Sequence, residues 1–215
     1  MEGKRIGILG SGDVAKALGR GFAGHGWEVM VGTRSPGKLA DFKVETEGSV
    51  AVGSFAEAAE YGDVVVLAVY GNAAETVIDL AGPERFAGKL VLDTTNPLDF
   101  SGGMPPDLSL GGTDSLGEHV QAALPDASVV KCFNTVSNAQ MVDPDFEAET
   151  PKMLICGNDA AAKERTEEIL VEFGWPGAFD VGDITAARYL EALVPLWVRA
   201  GEVLGTFGHA FTVVE

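Results

Sequence analysis

The sequence has two cysteines in 215 residues, 15 basic side chains against 32 acidic ones, three histidines and no long uncharged hydrophobic run. Each scarcity excludes something. Two cysteines cannot build a disulfide scaffold in a chain of this size, and Cys132 ("SVVKCFNT") and Cys156 ("KMLICGND") both sit in apolar runs where a free thiol packs as a small hydrophobe. No stretch approaches the roughly 18–20 apolar residues of a membrane span, and "MEGKRIGILG" enters a strand without a signal-peptide core. A soluble, cytoplasmic protein is expected. The formal charge of −17 argues against nucleic acid and anionic membrane as partners, since both present dense negative charge. His25, His119 and His209 lack any spacing that suggests a metal, and only His209, near the C-terminus, is a candidate substrate neighbour.

What the chain does hold is apolar content, 46% of its residues, enough for one sizeable core. Its charge is unevenly spread: residues 1–43 hold seven Lys/Arg against four Asp/Glu, and the remainder holds eight against twenty-eight. A locally basic segment in an acidic protein is a candidate anion site. The acidity elsewhere is equally compatible with a salt-adapted surface.

Apolar runs read as strands at 5–10, 28–33, 49–52, 63–69, 89–94, 128–133, 152–157 and 178–181. Several are continuous rather than alternating, as expected of a parallel sheet covered on both faces. Between them, helical spacing appears first at Val14, Leu18 and Phe22, closed by Gly24 and Gly26, then at 55–61, 72–81, 115–124, 160–173 and 185–205. This alternation predicts an α/β fold, a doubly wound Rossmann sheet, mostly parallel, with a small C-terminal strand-helix extension. The expected division is a nucleotide-binding domain over 1–142 and a smaller substrate or dimerisation region over 143–215. Residues 96–114, rich in Gly, Pro and Asp, read as a long irregular loop, of a kind that is functional or mobile.

The first strand runs into Gly10-Ser11-Gly12-Asp13-Val14-Ala15 and then an apolar helix, the context a Gly-x-Gly-x-x-Ala dinucleotide loop requires. Gly10 permits the turn, Gly12 lets backbone approach a pyrophosphate, and Ala15 allows close helix packing. Backbone N–H groups of Ser11, Asp13 and Val14 at the helix start face the phosphates. Asp13 is expected to be an N-terminal helix residue favoured by the dipole, its carboxylate turned to capping rather than to the ligand. An NAD site needs an acid at the end of the second strand, about 20 residues on; here stand Thr33, Arg34 and Ser35, with Lys38 one turn later. A guanidinium between hydroxyls suits a 2′-phosphate, so NADP(H) is expected over NAD(H), the bland alternative being a solvated Arg34.

With these residues quoted, "RIGILGSGDVAKALGRGFAGHGWEVMVGTRSP" resembles the start of the NADP-dependent oxidoreductases of the deazaflavin coenzyme F420 and the related oxidoreductase domain of metalloreductases. "VVKCFNTVSNAQM" and "FDVGDITAARYLEALVPLWVRAGEVLG" resemble later segments of the same family, so the likeness spans nearly the whole chain. The resemblance implies direct hydride transfer between NADPH and a stacked flavin-like ring, F420 or an ordinary flavin, with no catalytic acid. It implies that Val69, Tyr70, Ala73, Asn96 and Pro97 line the dinucleotide. Asn134, Thr135, Val136 and Ala139 would sit near the nicotinamide, and the apolar last helix would form a homodimer. Asn134 departs from the His of the deazaflavin enzymes and stands closer to the metalloreductase form, which leaves the second ring open.

Other readings of the same residues stand beside these. Tyr70 could be a core aromatic, Pro97 a turn former, Pro195 a kink, and Leu196, Trp197 and Leu204 packing residues. At the level of function, an imine-reductase-type enzyme would need a longer helical C-terminus. A non-catalytic NADP(H)-binding redox sensor, a different class, is compatible with the missing acid.

Overall fold

In the computed structural model, which describes residues 4–214, the first apolar run forms β1 (Arg5–Leu9), with Ile6, Ile8 and Leu9 wholly buried. Five further parallel strands flank it: β2 (Glu28–Gly32), β3 (Val50–Gly53), β4 (Val64–Leu67), β5 (Leu90–Asp93) and β8 (Ser128–Lys131). They stand in the order β3-β2-β1-β4-β5-β8, and the sheet continues through β9 (Met153–Gly157) and β10 (Ala178–Asp180). All neighbours are parallel except β8 and β9, which run antiparallel. The doubly wound α/β fold expected from the apolar runs is therefore present, and the C-terminal strands extend the same eight-stranded sheet.

Helices cover both faces: α1 (Asp13–Gly24), α2 (Ala40–Glu45), α3 (Phe55–Tyr61), α4 (Ala74–Ala81), α5 (Leu116–Ala123), α6 (Ala160–Glu172) and α7 (Ala187–Leu204). Three buried clusters result, one under α1 and α6 with Phe22, Phe42 and Phe173, one under α3, α4 and α5 with Phe55, Ile78, Phe86 and Val120, and a small one under α7 with Leu154, Cys156 and Leu190. Each fully buried side chain of this size contributes about 1.5–3 kcal/mol, which is what holds helices of eight residues or fewer in place. At the end of α1, Trp27 N–H donates to Phe22 O (2.9 Å) and Gly26 N–H to Ala23 O (3.0 Å), the paired bonds of a Schellman stop, so the expected glycine termination is present. The last helix runs through Pro195.

Two short elements escape the sequence periodicity. The 96–114 loop carries a ribbon of β6 (Leu98–Asp99) and β7 (Asp107–Leu108), two residues each. Residues 36–45, which lack a strong pattern, fold as a 3-10 turn leading into α2.

Candidate functional site

The C-terminal ends of the parallel strands form one stitched edge. Gly10 N–H donates to Gly32 O (3.0 Å), Ala68 N–H to Leu9 O (2.9 Å), Thr94 N–H to Leu67 O (3.2 Å) and Cys132 N–H to Asp93 O (3.0 Å). Strand order reverses between β1 and β4, which is where an open α/β sheet forms its crevice. The segments after β1, β2, β4, β5 and β8 all leave from this edge. They contain every residue expected to bind the dinucleotide or to border its nicotinamide.

The glycine loop has the backbone that its sequence requires. Gly10 has φ 148°, and a Cβ there would lie 2.1 Å from Ala68 O, so no other residue fits. Ala15 is wholly buried against the loop. Gly12 is the helix cap residue, and a Cβ on it would meet nothing within 4 Å, so its outer side is open for a ligand to reach the backbone. Ser11 and Val14 are half-buried. Asp13 does not cap: α1 carries no side-chain cap, and Asp13 is exposed in its first turn, which leaves the dipole half of the expectation, a favourable charge at the positive end of the helix.

At the end of β2 Thr33 separates from Arg34, Ser35 and Lys38. Thr33 is buried; its N–H donates to Gly53 O (2.9 Å) and its Oγ1 accepts from Ser35 N–H (3.2 Å), which shapes the turn. Arg34, Ser35 and Lys38 are exposed. Six of the seven arginines hold a carboxylate within salt-bridge distance, and among the described residues Arg34 is the one without. Lys38 likewise has no ion pair among them. Lys16, Lys43, Lys89 and Lys152 also lack one among them, so what sets this turn apart is an arginine and a lysine left unpaired within four residues of each other.

After β4, Val69 and Ala73 are half-buried and Tyr70 is 78% exposed, so the core-aromatic reading of Tyr70 does not hold. Gly71 brings this turn against the next: a Cβ on it would lie 2.1 Å from Asn96 O. Asn96 and Asn134 then join the ends of β5 and β8. Asn96 Nδ2 donates to Asn134 O (2.9 Å), and Asn134 Nδ2 donates to Asn96 Oδ1 (3.0 Å) and to Leu190 O (3.0 Å) of α7. Pro97 O accepts from Ser109 N–H (2.8 Å) and roots the ribbon. Phe133, buried at φ 62°, turns the chain from β8 into Asn134, Thr135 and Val136, all three buried. Ala139 is not brought to this group; it is exposed and lines a groove of about 680 Å³ beside Ala17 and Gly21 of α1.

A buried ionic cluster beneath this edge has no counterpart in the sequence reading. Lys131 Nζ lies 2.7 Å from Asp93 Oδ2 and 2.8 Å from Glu191 Oε1, and donates to Thr95 O (2.8 Å); the three charged side chains are 0–2% exposed. Asp93 Oδ1 accepts from Thr95 N–H (2.9 Å) and Thr95 Oγ1 (2.6 Å), while Glu191 accepts from Leu116 and Gly117 N–H (2.9 Å each) at the start of α5. Burial works against the ammonium, yet the Asp93 and Glu191 charges outweigh it and hold Lys131 above the usual lysine range. The cluster binds β5, β8, α5 and α7 together under Thr95 and Asn96. A signal was available: Lys131 and Asp93 are charges inside otherwise apolar runs. Cys132 and Cys156 are free and buried, and burial pushes the Cys156 thiol up to about 12, consistent with a packing role.

Fold and edge thus define a doubly wound protein with a glycine-loop crevice of the dinucleotide type. The sequence profile described as NADP oxidoreductase coenzyme F420-dependent matches residues 5–97, from β1 to the turn after β5. A solved structure from Arthrobacter sp. FB24, provisionally named an F420-dependent NADP-reductase, is 39% identical, with a TM-score of 0.94 over 99% of each chain. Rat metalloreductase STEAP3 is 31% identical over 201 residues, 91% of this chain and 38% of that protein. The F420-dependent NADP reductase of Methanocaldococcus jannaschii is 33% identical over 144 residues, 66% of this chain and 63% of that protein. This chain therefore spans well under half of the one and less than two thirds of the other. It belongs to the F420-dependent NADP oxidoreductase family.

Proposed function

We propose that this chain is an NADP(H)-dependent oxidoreductase that passes hydride directly between NADPH and a flavin-like ring, the deazaflavin coenzyme F420 being the first-ranked partner. The observation that carries the reading is Arg34, exposed and unpaired among the described residues, at the end of β2 beside an open glycine loop. Gly10, Ser11, Gly12, Asp13 and Val14 present backbone to the pyrophosphate; Arg34, Lys38 and Ser35 take the 2′-phosphate, with Thr33 shaping their turn. Val69, Tyr70, Ala73, Asn96 and Pro97 line the dinucleotide beyond the switch point. Asn134, Thr135 and Val136 border the nicotinamide, and Ala139 lies further out along α1. The dinucleotide supplies the hydride. The chain's work is to hold two rings in contact and exclude water, an orientation effect of on the order of 7–11 kcal/mol that needs no catalytic acid.

A second reading, an ordinary flavin as acceptor in a metal-reducing system, is favoured by the rat metalloreductase match, which covers 91% of this chain. Mixing the protein with NADPH and each of F420, FMN and riboflavin, while following the loss of nicotinamide absorbance, separates the two. NADPH binding with no turnover on any acceptor would reject both and leave the redox sensor. Equal affinity for NADPH and NADH would reject the cofactor assignment.

We propose that residues 143–215 are the substrate or dimerisation region. Leu196, Val203, Leu204 and Phe207 of α7 and its tail are exposed, an apolar surface suited to a second copy, while Trp197 is tied down by its Nε1–H to His209 O (3.0 Å). Sedimentation of the chain as a monomer would reject the homodimer. No helix of the described residues is long and apolar enough to cross a membrane, and two free buried cysteines suit the reducing cytoplasm.

A further inference from the structure

The buried ionic cluster beneath the edge does not balance. Lys131 Nζ directs its three N–H bonds at Asp93 Oδ2 (2.7 Å), Glu191 Oε1 (2.8 Å) and Thr95 O (2.8 Å), so it stands as an ammonium. The remaining neighbours of the two acids are donors as well: Leu116 and Gly117 N–H to Glu191, and Thr95 N–H and Oγ1–H to Asp93 Oδ1. A protonated carboxyl would need an acceptor in exchange, so both acids stand as anions. The formal sum is one negative charge, on side chains 0–2% exposed. The start of α5, whose N–H groups hold Glu191, offsets up to about half of it. Locking elements together needs one acid for one base; the second acid leaves a charge where solvent and salt screen it little.

That charge lies close to the reactive half of the dinucleotide on the reading above. Asp93 and Lys131 are paired across β5 and β8, and Asn96 and Asn134 each follow by three residues, a reach of at most about 11 Å. Charges nearer the surface, such as Asp99, Asp107 and Lys152, are exposed and screened. Hydride transfer changes the charge at this place. The C4–H bond of NADPH breaks, its electron pair and proton pass together to the flavin-like ring, and the nicotinamide goes from neutral to cationic. A fixed negative charge behind the ring lowers the energy of the cation and leaves the neutral form nearly untouched. We propose that the Asp93–Lys131–Glu191 cluster is a preorganised negative charge that favours bound NADP+ over bound NADPH, and so makes bound NADPH a stronger hydride donor. At an effective dielectric of about 20, a unit charge about 10 Å away corresponds to a preference of roughly ten- to twentyfold, and half a charge to roughly fourfold. The three side chains touch neither ring; they act through their field.

This assignment rests on the NADP(H) reading, and the test separates the two. With no acceptor present, the full chain is titrated with NADP+, with NADPH and with adenosine 2′,5′-bisphosphate, which has no nicotinamide. The adenosine half is the same in both redox forms, so the ratio of their dissociation constants reports the ring alone. The unaltered chain is expected to bind NADP+ roughly fourfold more tightly than NADPH, and the reverse preference overturns the assignment with no variant needed. Glu191→Gln and Asp93→Asn each remove one negative charge. In both, the preference for NADP+ should fall at least about threefold while the bisphosphate binds as before, which shows that the edge is folded. A smaller change in a variant that still binds the bisphosphate overturns the assignment, because loosening of the structure alone weakens both redox forms alike. If a variant loses the bisphosphate, the unaltered chain's preference decides. If no compound binds the unaltered chain, the NADP(H) reading falls and this one with it.

Discussion

Two groups of cations serve opposite purposes at the two flanks of the sheet edge. On the β2 flank Arg34 and Lys38 stand in water with no carboxylate among the described residues within reach. On the β8 flank Lys131 is wholly buried between two carboxylates, and a backbone carbonyl takes another of its N–H donors. An exposed cation is already solvated, so it costs the fold almost nothing and remains free for an anion. A buried one is tolerable only fully paired, so it can bind nothing further and serves to lock four elements together. Charge type says little about role; pairing and burial decide it.

The contrast is broken most directly at Lys131. Replacing it with Met leaves Asp93 and Glu191 buried without a counter-charge, and a loss of about 3–5 kcal/mol is expected from urea unfolding. Neutralising all three together, with Asp93→Asn and Glu191→Gln added, should restore part of that loss. If Lys131→Met costs no more than a surface change, the cluster is not what holds these elements.

The same substitution logic at Arg34 gives the reverse result. Arg34→Ala should leave stability within about 0.5 kcal/mol but weaken NADPH by about 1.5–3 kcal/mol, the range for a hydrogen bond to a charged group, while scarcely changing NADH. Calorimetric titration of both dinucleotides decides it; equal weakening of the two would mean that Arg34 does not read the 2′-phosphate.

Between these lies a residue that carries no charge. Gly10→Ala must place a side chain at φ 148° against Ala68 O, so about 1–3 kcal/mol is lost from backbone strain alone, and NADPH affinity should fall with it because the loop moves. A Gly10→Ala protein with unchanged melting temperature and unchanged NADPH affinity would show that the loop conformation is not required.

The two flanks were also unequally legible in the sequence. The glycine loop, the Thr33-Arg34-Ser35 turn and the apolar strands are local features, each readable within about ten residues because turn chemistry and strand periodicity are local. The β8 flank is made of distant partners: Asn96 and Asn134 are 38 residues apart, and Gly117 and Glu191 are 74. No periodicity announces such pairs, and Lys131 inside "SVVKCFNT" gives only the fact of an odd charge. The β6–β7 ribbon was invisible for another reason, since two residues per strand are too few to establish a period. Asp13 shows the limit of motif reasoning even locally. Its type and position suit a cap, yet the residue before it takes the cap position, and its carboxylate interacts only through the helix dipole.

The smallest effect concerns the outer end of the 96–114 loop, where a third kind of cation is found, half-exposed and only conditionally charged. His119 Nδ1 lies 3.0 Å from Glu75 Oε1 of α4, and Nε2 lies 3.0 Å from Asp114 at the loop's end, so a protonated ring ties the loop to both α4 and α5. Hydrogen bonds to Glu75 and then Asp114 raise the His119 pKa above its ordinary value, and the bond from His119 is the main cause holding Asp114 below the usual carboxylate range. For a folded-state pKa that is raised, the stabilisation is complete below the unfolded value of about 6.5 and disappears as pH climbs through the folded one. Asp114 sets the opposite limit, since its stabilisation is present above about 3.9 and lost as pH falls. The tie should therefore be strongest at about pH 5–6 and be lost as pH rises through the raised His119 pKa. Because His119 is over a third exposed, screening keeps the gain under about 1 kcal/mol. Unfolding curves for the chain and for His119→Gln should separate most in that acidic window and converge above it. A constant difference across the range would mean that the ring contributes by packing, and that the loop's end is not held by charge.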